Sequence, residues 1–271
     1  MPRKGLRTVT YKTPHTGRRA VLCLLLGAAI LGVSWQVQAR LGIARPFSLS
    51  PDKTAQKQDT TRKSRELSLS GHTLYALQLG AFTQESAARQ MAQQYSARGA
   101  AGYVYRDGDT YRVLAAAYAT RAEAQAVQTR LNGQNISTYI HPCVRAVLTM
   151  RAGGTGSQID ALEETLSYLD GLESKLYTLS TGLDAQTVSA EDARAALLSE
   201  GVTCAALGQR LSSAFDGALP DSLTPLGGLL DDVSAGAEAV RNENGAARIG
   251  AALKRCQLTA FFGLLRFAEG I

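Results

Sequence analysis

Apolar and polar positions along this chain follow two rhythms, and the change of rhythm divides it. Between Leu74 and His141 short strand-like runs interleave with helical ones. The run Leu74-Tyr75-Ala76-Leu77-Gln78-Leu79-Gly80-Ala81-Phe82 has strand character. In Gln84–Arg98, Ala87, Ala88, Met91, Ala92 and Tyr95 recur at helical spacing, with Gly99 where a C-terminal cap belongs. Gly102–Arg106 and Tyr111–Ala117 are two further strands, joined by the turn signal Asp107-Gly108-Asp109. Thr120–Leu131 is a second helix, with Thr120 as its cap and Glu123 three residues on. Asn132-Gly133 stops it, and Ile136–His141 is the closing strand. The order β-α-β-β-α-β predicts an α+β fold of the ferredoxin or RNP type: a four-stranded antiparallel sheet with both helices on one face.

Strand side chains alternate between faces. If Leu77, Leu79, Val104, Val113, Ile136 and Ile140 meet the helices, the other face carries Gln78, Tyr103, Tyr105, Arg112, Tyr139 and His141. That face is poor in aliphatics and rich in flat rings and hydrogen-bonding groups. Such a surface suits a sugar chain, whose hydroxyls need donors and acceptors and whose ring faces lie on aromatics.

At these residues the chain resembles the SPOR domain, the sporulation-related repeat that binds bacterial peptidoglycan. The resemblance rests on Gln78-Leu79-Gly80-Ala81-Phe82, on the spaced alanines after it and on Tyr111-Arg112-Val113. It departs from the family after Arg-Val, where Ala116-Ala117-Tyr118 replaces a Gly-Pro-Phe type ending. The resemblance implies that residues 72–145 bind glycan strands lacking stem peptides, and it carries the binding role onto Gln78 and Arg112. The alternation argument adds Tyr139, Tyr103 and Tyr105.

Ahead of this domain the charge pattern changes. Residues 1–19 hold six Lys or Arg and no acid, and 20–37 hold no charge at all, close to the roughly 20 residues that cross a bilayer. Trp35 stands at the end of that run, where interfacial aromatics collect. The expectation is a basic cytoplasmic leader, a single transmembrane helix and an extracytoplasmic remainder. The alternative is secretion after cleavage near Ala39. The leader accounts for the net charge of +6, so basicity does not point to nucleic acid. Residues 38–71, broken by Pro46 and Pro51 and poor in apolar residues, read as a flexible linker. Residues 146–156, ending Arg151-Ala152-Gly153-Gly154-Thr155-Gly156, read as a second one.

From Ser157 the period becomes purely helical. Ile159, Leu162, Leu166, Leu169, Leu172, Leu176, Leu179 and Leu183 form one apolar stripe. Ser189-Ala190-Glu191-Asp192 starts another helix, and Leu226–Val240 and Ala246–Phe267 supply two more. Residues 157–271 therefore make an all-α bundle of three or four helices, able to serve as the attachment point of a protein partner.

Chemistry-bearing residues are sparse. His15, His72 and His141 are the only histidines, too few and too scattered for a zinc site, and no cofactor motif is present. His141-Pro142-Cys143 is not assigned as a nucleophile pair, because nothing nearby in the sequence orients the imidazole. Cys143, Cys204 and Cys256 leave a bridge between the last two open. No catalytic residue and no metal ligand is assigned. The reading is a non-catalytic, membrane-anchored peptidoglycan-binding protein of a bacterial division or sporulation septum. Its rivals are a cell-wall hydrolase, amidase or glycosidase, targeted by the same sheet, and an RNA-recognition module. The latter lacks its aromatic-glycine signature here.

Overall fold

Period-two alternation and turn glycines place the strands, and their pairing gives the sheet. The computed structural model describes residues 61–270, which lie within one compact unit, Lys57–Ile271. The elements in chain order are β1 (Lys63–Leu69), β2 (His72–Phe82), α1 (Glu85–Ser96), β3 (Tyr103–Asp107), β4 (Thr110–Tyr118), α2 (Arg121–Asn132), β5 (Tyr139–Arg145) and β6 (Leu148–Gly154). They are followed by α3 (Gly156–Asp184), α4 (Ala190–Ala214), α5 (Thr224–Glu238) and α6 (Ala246–Glu269). The basic leader and the 20–37 span lie outside the described residues. Among those described, no helix is long and apolar enough to cross a membrane.

The four-stranded sheet has the order β3-β4-β2-β5 and is antiparallel throughout. Pro142 is tolerated because β5 is an edge strand. The helices α1 and α2 cover one face, where Leu77, Val113 and Ile140 are buried and Leu79 and Val104 partly so, as alternation requires. Thr120 forms the capping box with Glu123 at the start of α2. Gly99 past α1 has a φ of 94° and Gly102 a φ of 56°. A Cβ on Gly102 would lie 2.5 Å from the Ala92 carbonyl oxygen, so only glycine lets β3 start this close to α1. The last strand begins at Tyr139, later than the sequence suggests. Asn135, with a φ of 60°, ends the turn after α2, and the Ile136 N–H donates to the Leu131 carbonyl at 2.9 Å, leaving Ile136 ahead of the strand.

Two stretches expected as linkers differ from expectation. Lys63–Leu69 and Leu148–Gly154 pair antiparallel as a two-stranded ribbon. It continues the β2–β5 ladder in the same register, with His72 opposite Arg145 and Leu69 opposite Leu148, across a break at Ser70-Gly71 and Ala146-Val147. Leu67, Leu69 and Ala152 are buried against α3, and the Arg65 guanidinium reaches Asp160 at 2.9 Å and also Glu163. Three alternating residues, Leu148, Met150 and Ala152, carry the strand signal, and the following glycines obscure it. Thr155 then caps α3 with its own capping box through Gln158.

At the break, Arg145 is 1% exposed. It donates to the Ser70 carbonyl and, at 2.6 Å, to Asp170 of α3, whose other carboxylate oxygen accepts from the Ser70 N–H. One turn along α3, Glu173 meets His72 Nδ1 at 2.9 Å. Burial raises the Glu173 carboxyl above its ordinary range, and the His72 contact opposes that rise.

The helices α3–α6 form the expected bundle, with the stripe from Ile159 to Leu183 in its core. The bundle does not stand apart from the sheet. Leu258, Phe261 and Phe262 of α6 share a buried cluster with Leu74, Ala76, Leu114, Ala117 and Cys143, on the sheet face opposite α1 and α2. The Arg255 guanidinium donates to the Ala101 carbonyl at 2.9 Å. A shared core implies a single cooperative unfolding transition for sheet and bundle. Phe262→Ala should lower stability by about 3–5 kcal/mol in denaturant titrations. Two separable transitions would show that the sheet and bundle fold independently.

Candidate functional site

The face opposite α1 and α2 divides into a covered part and an open part. Over β3 and β4, the Phe262 ring stacks on Tyr103 at 5.4 Å and on Tyr105 at 4.3 Å between centroids. Both phenols are pushed above their ordinary range, chiefly by burial. A face expected to be free of helices thus carries one, and each of these two tyrosines has a ring face occupied from within the protein. Sequence periodicity missed this because the Phe261-Phe262-Gly263-Leu264-Leu265 run reads as bundle core. Its signal is that it is apolar all round, as a helix buried between two layers must be.

Beyond the end of α6, the other expected residues come together. The Arg112 guanidinium donates through one terminal nitrogen to Gln78 Oε1 at 2.9 Å and through Nε to Asp107 at 2.8 Å. The Arg112 side chain keeps 24% exposure. Two register shifts in the β2–β4 pairing flank Gln78. Tyr139, directly across from Gln78 on β5, is 61% exposed. His141 is partly buried on the same strand, and burial, then the Arg112 charge, lowers its pKa, favouring a neutral ring at neutral pH. The set comprises a carboxamide, a planar cation, a carboxylate and an open aromatic ring, a mixture suited to neutral polyols.

Asp107 is the member that sequence reasoning passed over as a turn residue. The signal was available, since Asp107 pairs with Thr110 and Tyr105 with Arg112. Asp107 and Arg112 are therefore diagonal neighbours on one face of the hairpin.

The family model described as SPOR domain matches residues 71–142. That stretch is a SPOR domain. It runs from the start of β2 into β5 and contains Gln78, Asp107, Arg112 and Tyr139, while the ribbon and the bundle lie outside it. No match is found among curated proteins or among solved structures.

The remaining reactive groups lie away from this strip or are quenched. Cys143, Cys204 and Cys256 are free and buried. Burial pushes their thiols up to about 11, about 12 and about 12. The Cys143 sulfur contacts the His141 backbone carbonyl at 3.7 Å rather than its ring. Among the described residues, no group of three or more His, Cys, Asp or Glu side chains is placed to hold a metal.

These thiols should resist a disulfide reagent near neutral pH in the folded protein and react only after denaturation, which a thiol count in and out of denaturant reads directly. Because their folded pKa values are raised, they contribute stability that is full below pH about 9. It is lost as pH rises toward about 11–12, and alkaline denaturation profiles should show that loss. Cys→Ala variants should flatten it.

Proposed function

We propose that this protein binds peptidoglycan glycan strands without catalysis, through the open strip of its SPOR domain at Gln78, Arg112, Asp107 and Tyr139. The observation that carries the reading is the bonded set Gln78–Arg112–Asp107 within the matched domain. The bridging cation fixes the carboxamide and the carboxylate in place before any sugar arrives, which reduces the ordering cost of binding. Tyr139 offers a free ring face at the margin. The other tyrosine rings, stacked under Phe262, act as part of the floor and not as stacking platforms for sugar. Strands stripped of stem peptides fit better than intact wall, because α6 borders the strip and narrows the approach. Such strands arise where amidases work, so the protein acts at division or sporulation septa, with residues 157–271 as the attachment point for a partner.

The test is co-sedimentation of the full chain with intact and amidase-treated sacculi. Gln78→Ala and Arg112→Ala should each weaken binding to treated sacculi by about 1–3 kcal/mol. Neither side chain is core, so both variants should keep the parent melting temperature to within a few degrees. Equal binding by parent and both variants would move the site elsewhere.

We further infer that residues 20–37 anchor the protein in the membrane with residues 1–19 in the cytoplasm. The full-length protein should then sediment with membranes and resist extraction by high salt or alkali. A mature N-terminus at Arg40 would instead establish secretion.

A further inference from the structure

The helix-covered side of the sheet contains a cleft that the glycan reading does not use. It has a volume of about 570 Å³, within the range of small-molecule sites. It opens between the C-terminal ends of α1 and α2, and the bundle closes one side of it with the end of α3 and the start of α6. Its floor is the sheet itself: Leu77, Leu79, Ala115 and Ala116. The two adjacent alanines leave the space that larger side chains would fill. Val127 and Leu131 of α2 add an apolar wall.

The rim is basic. Arg98, Arg130 and Lys254 line it, with Asp184 as the one acid among the lining residues. Asp184 already accepts from the Lys254 ammonium at 2.9 Å, and that ammonium also donates to the Gly99 carbonyl. Arg98 rests over the Tyr95 ring at 5.6 Å and forms no ion pair, and Arg130 forms none either among the described residues. The cleft therefore presents an apolar slot with two uncompensated guanidinium groups at its mouth. Guanidinium forks match carboxylate and phosphate oxygens.

We infer that this cleft binds a single-chain anionic amphiphile, its tail on the Leu77–Ala116 floor and its head between Arg98 and Arg130. The shared chemistry is an alkyl chain ending in an oxyanion, either a fatty carboxylate or an alkyl phosphate headgroup. The site is separate from the Gln78–Arg112 strip, on the opposite face of the same sheet.

The full chain, reconstituted in nanodiscs, would be labelled with a dodecanoic acid probe carrying a photoactivated diazirine at its tail. Cross-linked peptides would then be mapped by mass spectrometry. Labelling is expected on the peptides containing Leu77–Leu79 and Ala115–Ala116. The matching neutral alcohol should label them at least about tenfold less, the discrimination of one charge-assisted hydrogen bond. Competition by dodecanoate against dodecyl phosphate tells which headgroup the rim prefers. Gly250→Met should abolish floor labelling, since a Cβ there points into the cleft mouth at ordinary van der Waals distances from Leu183 and Lys254. The exposed pair Arg98→Glu and Arg130→Glu gives an independent arm that leaves the core untouched and should reduce labelling by about a hundredfold, about tenfold for each guanidinium removed. Melting temperatures close to the parent confirm that each variant is folded. Equal labelling by acid and alcohol, or labelling unchanged in the charge-reversed variant, overturns the proposal. Binding to amidase-treated sacculi should be unchanged in all these variants, which separates this site from the glycan strip.

Discussion

The double burial of α6 is the constraint on which the rest of the structure depends. One side of the helix faces the bundle through Ile249, Leu253, Cys256, Ala260 and Leu264, and the other faces the sheet through Leu258, Phe261 and Phe262. Fully burying a large apolar side chain contributes roughly 1.5–3 kcal/mol. The three sheet-facing residues alone therefore account for several kcal/mol, comparable with the whole stability of an ordinary domain. A helix held this way is not a lid. Lifting it would open both cores together, so the covered part of the sheet face is permanently covered.

That permanence explains the form of the candidate site. A free four-stranded sheet of this topology would offer its whole open face to a ligand. Here α6 takes the part over Tyr103, Tyr105, Leu114, Ala76 and Cys143 and leaves the end of the sheet where Gln78, Arg112 and Tyr139 lie. Arg112 lies at the boundary and bridges Gln78 and Asp107. The aromatic residues expected to stack on sugar divide accordingly: Tyr103 and Tyr105 pack inward on Phe262, while Tyr139 stays open.

Local signals made the sheet legible. The alternation of Leu77, Leu79, Val104, Val113 and Ile140, the capping box at Thr120, and the glycine at position 99 each reflect a rule that acts over a few residues, and each element forms where its rule applies. That Gln78 and Arg112 share one face was legible for the same reason, since it follows from alternation along each strand, whereas their direct hydrogen bond depends on the register shifts around Gln78. The packing of Phe262 was not. Its partners Tyr103 and Tyr105 lie far away in the chain, and no local period distinguishes packing on a bundle from packing on a sheet. The ribbon was hidden differently, because polar residues on its outer side and glycines at its end resemble those of a loop. Only the burial of Leu67, Leu69 and Ala152 against α3 gives it a core.

The in-register ribbon also has a mechanical meaning. Chain entering at Lys63 is zipped along β6, then clamped at the break by Arg145, Asp170 and Ser70, before it reaches the sheet. Tension applied at Lys63 along the strand direction loads all of these ladder bonds in shear at once, instead of peeling them one at a time. The clamp lies between that force and the first strand of the SPOR domain. The ribbon can thus act as a strain relief, letting the strip at Gln78 and Arg112 keep its geometry while the chain leading to it is pulled.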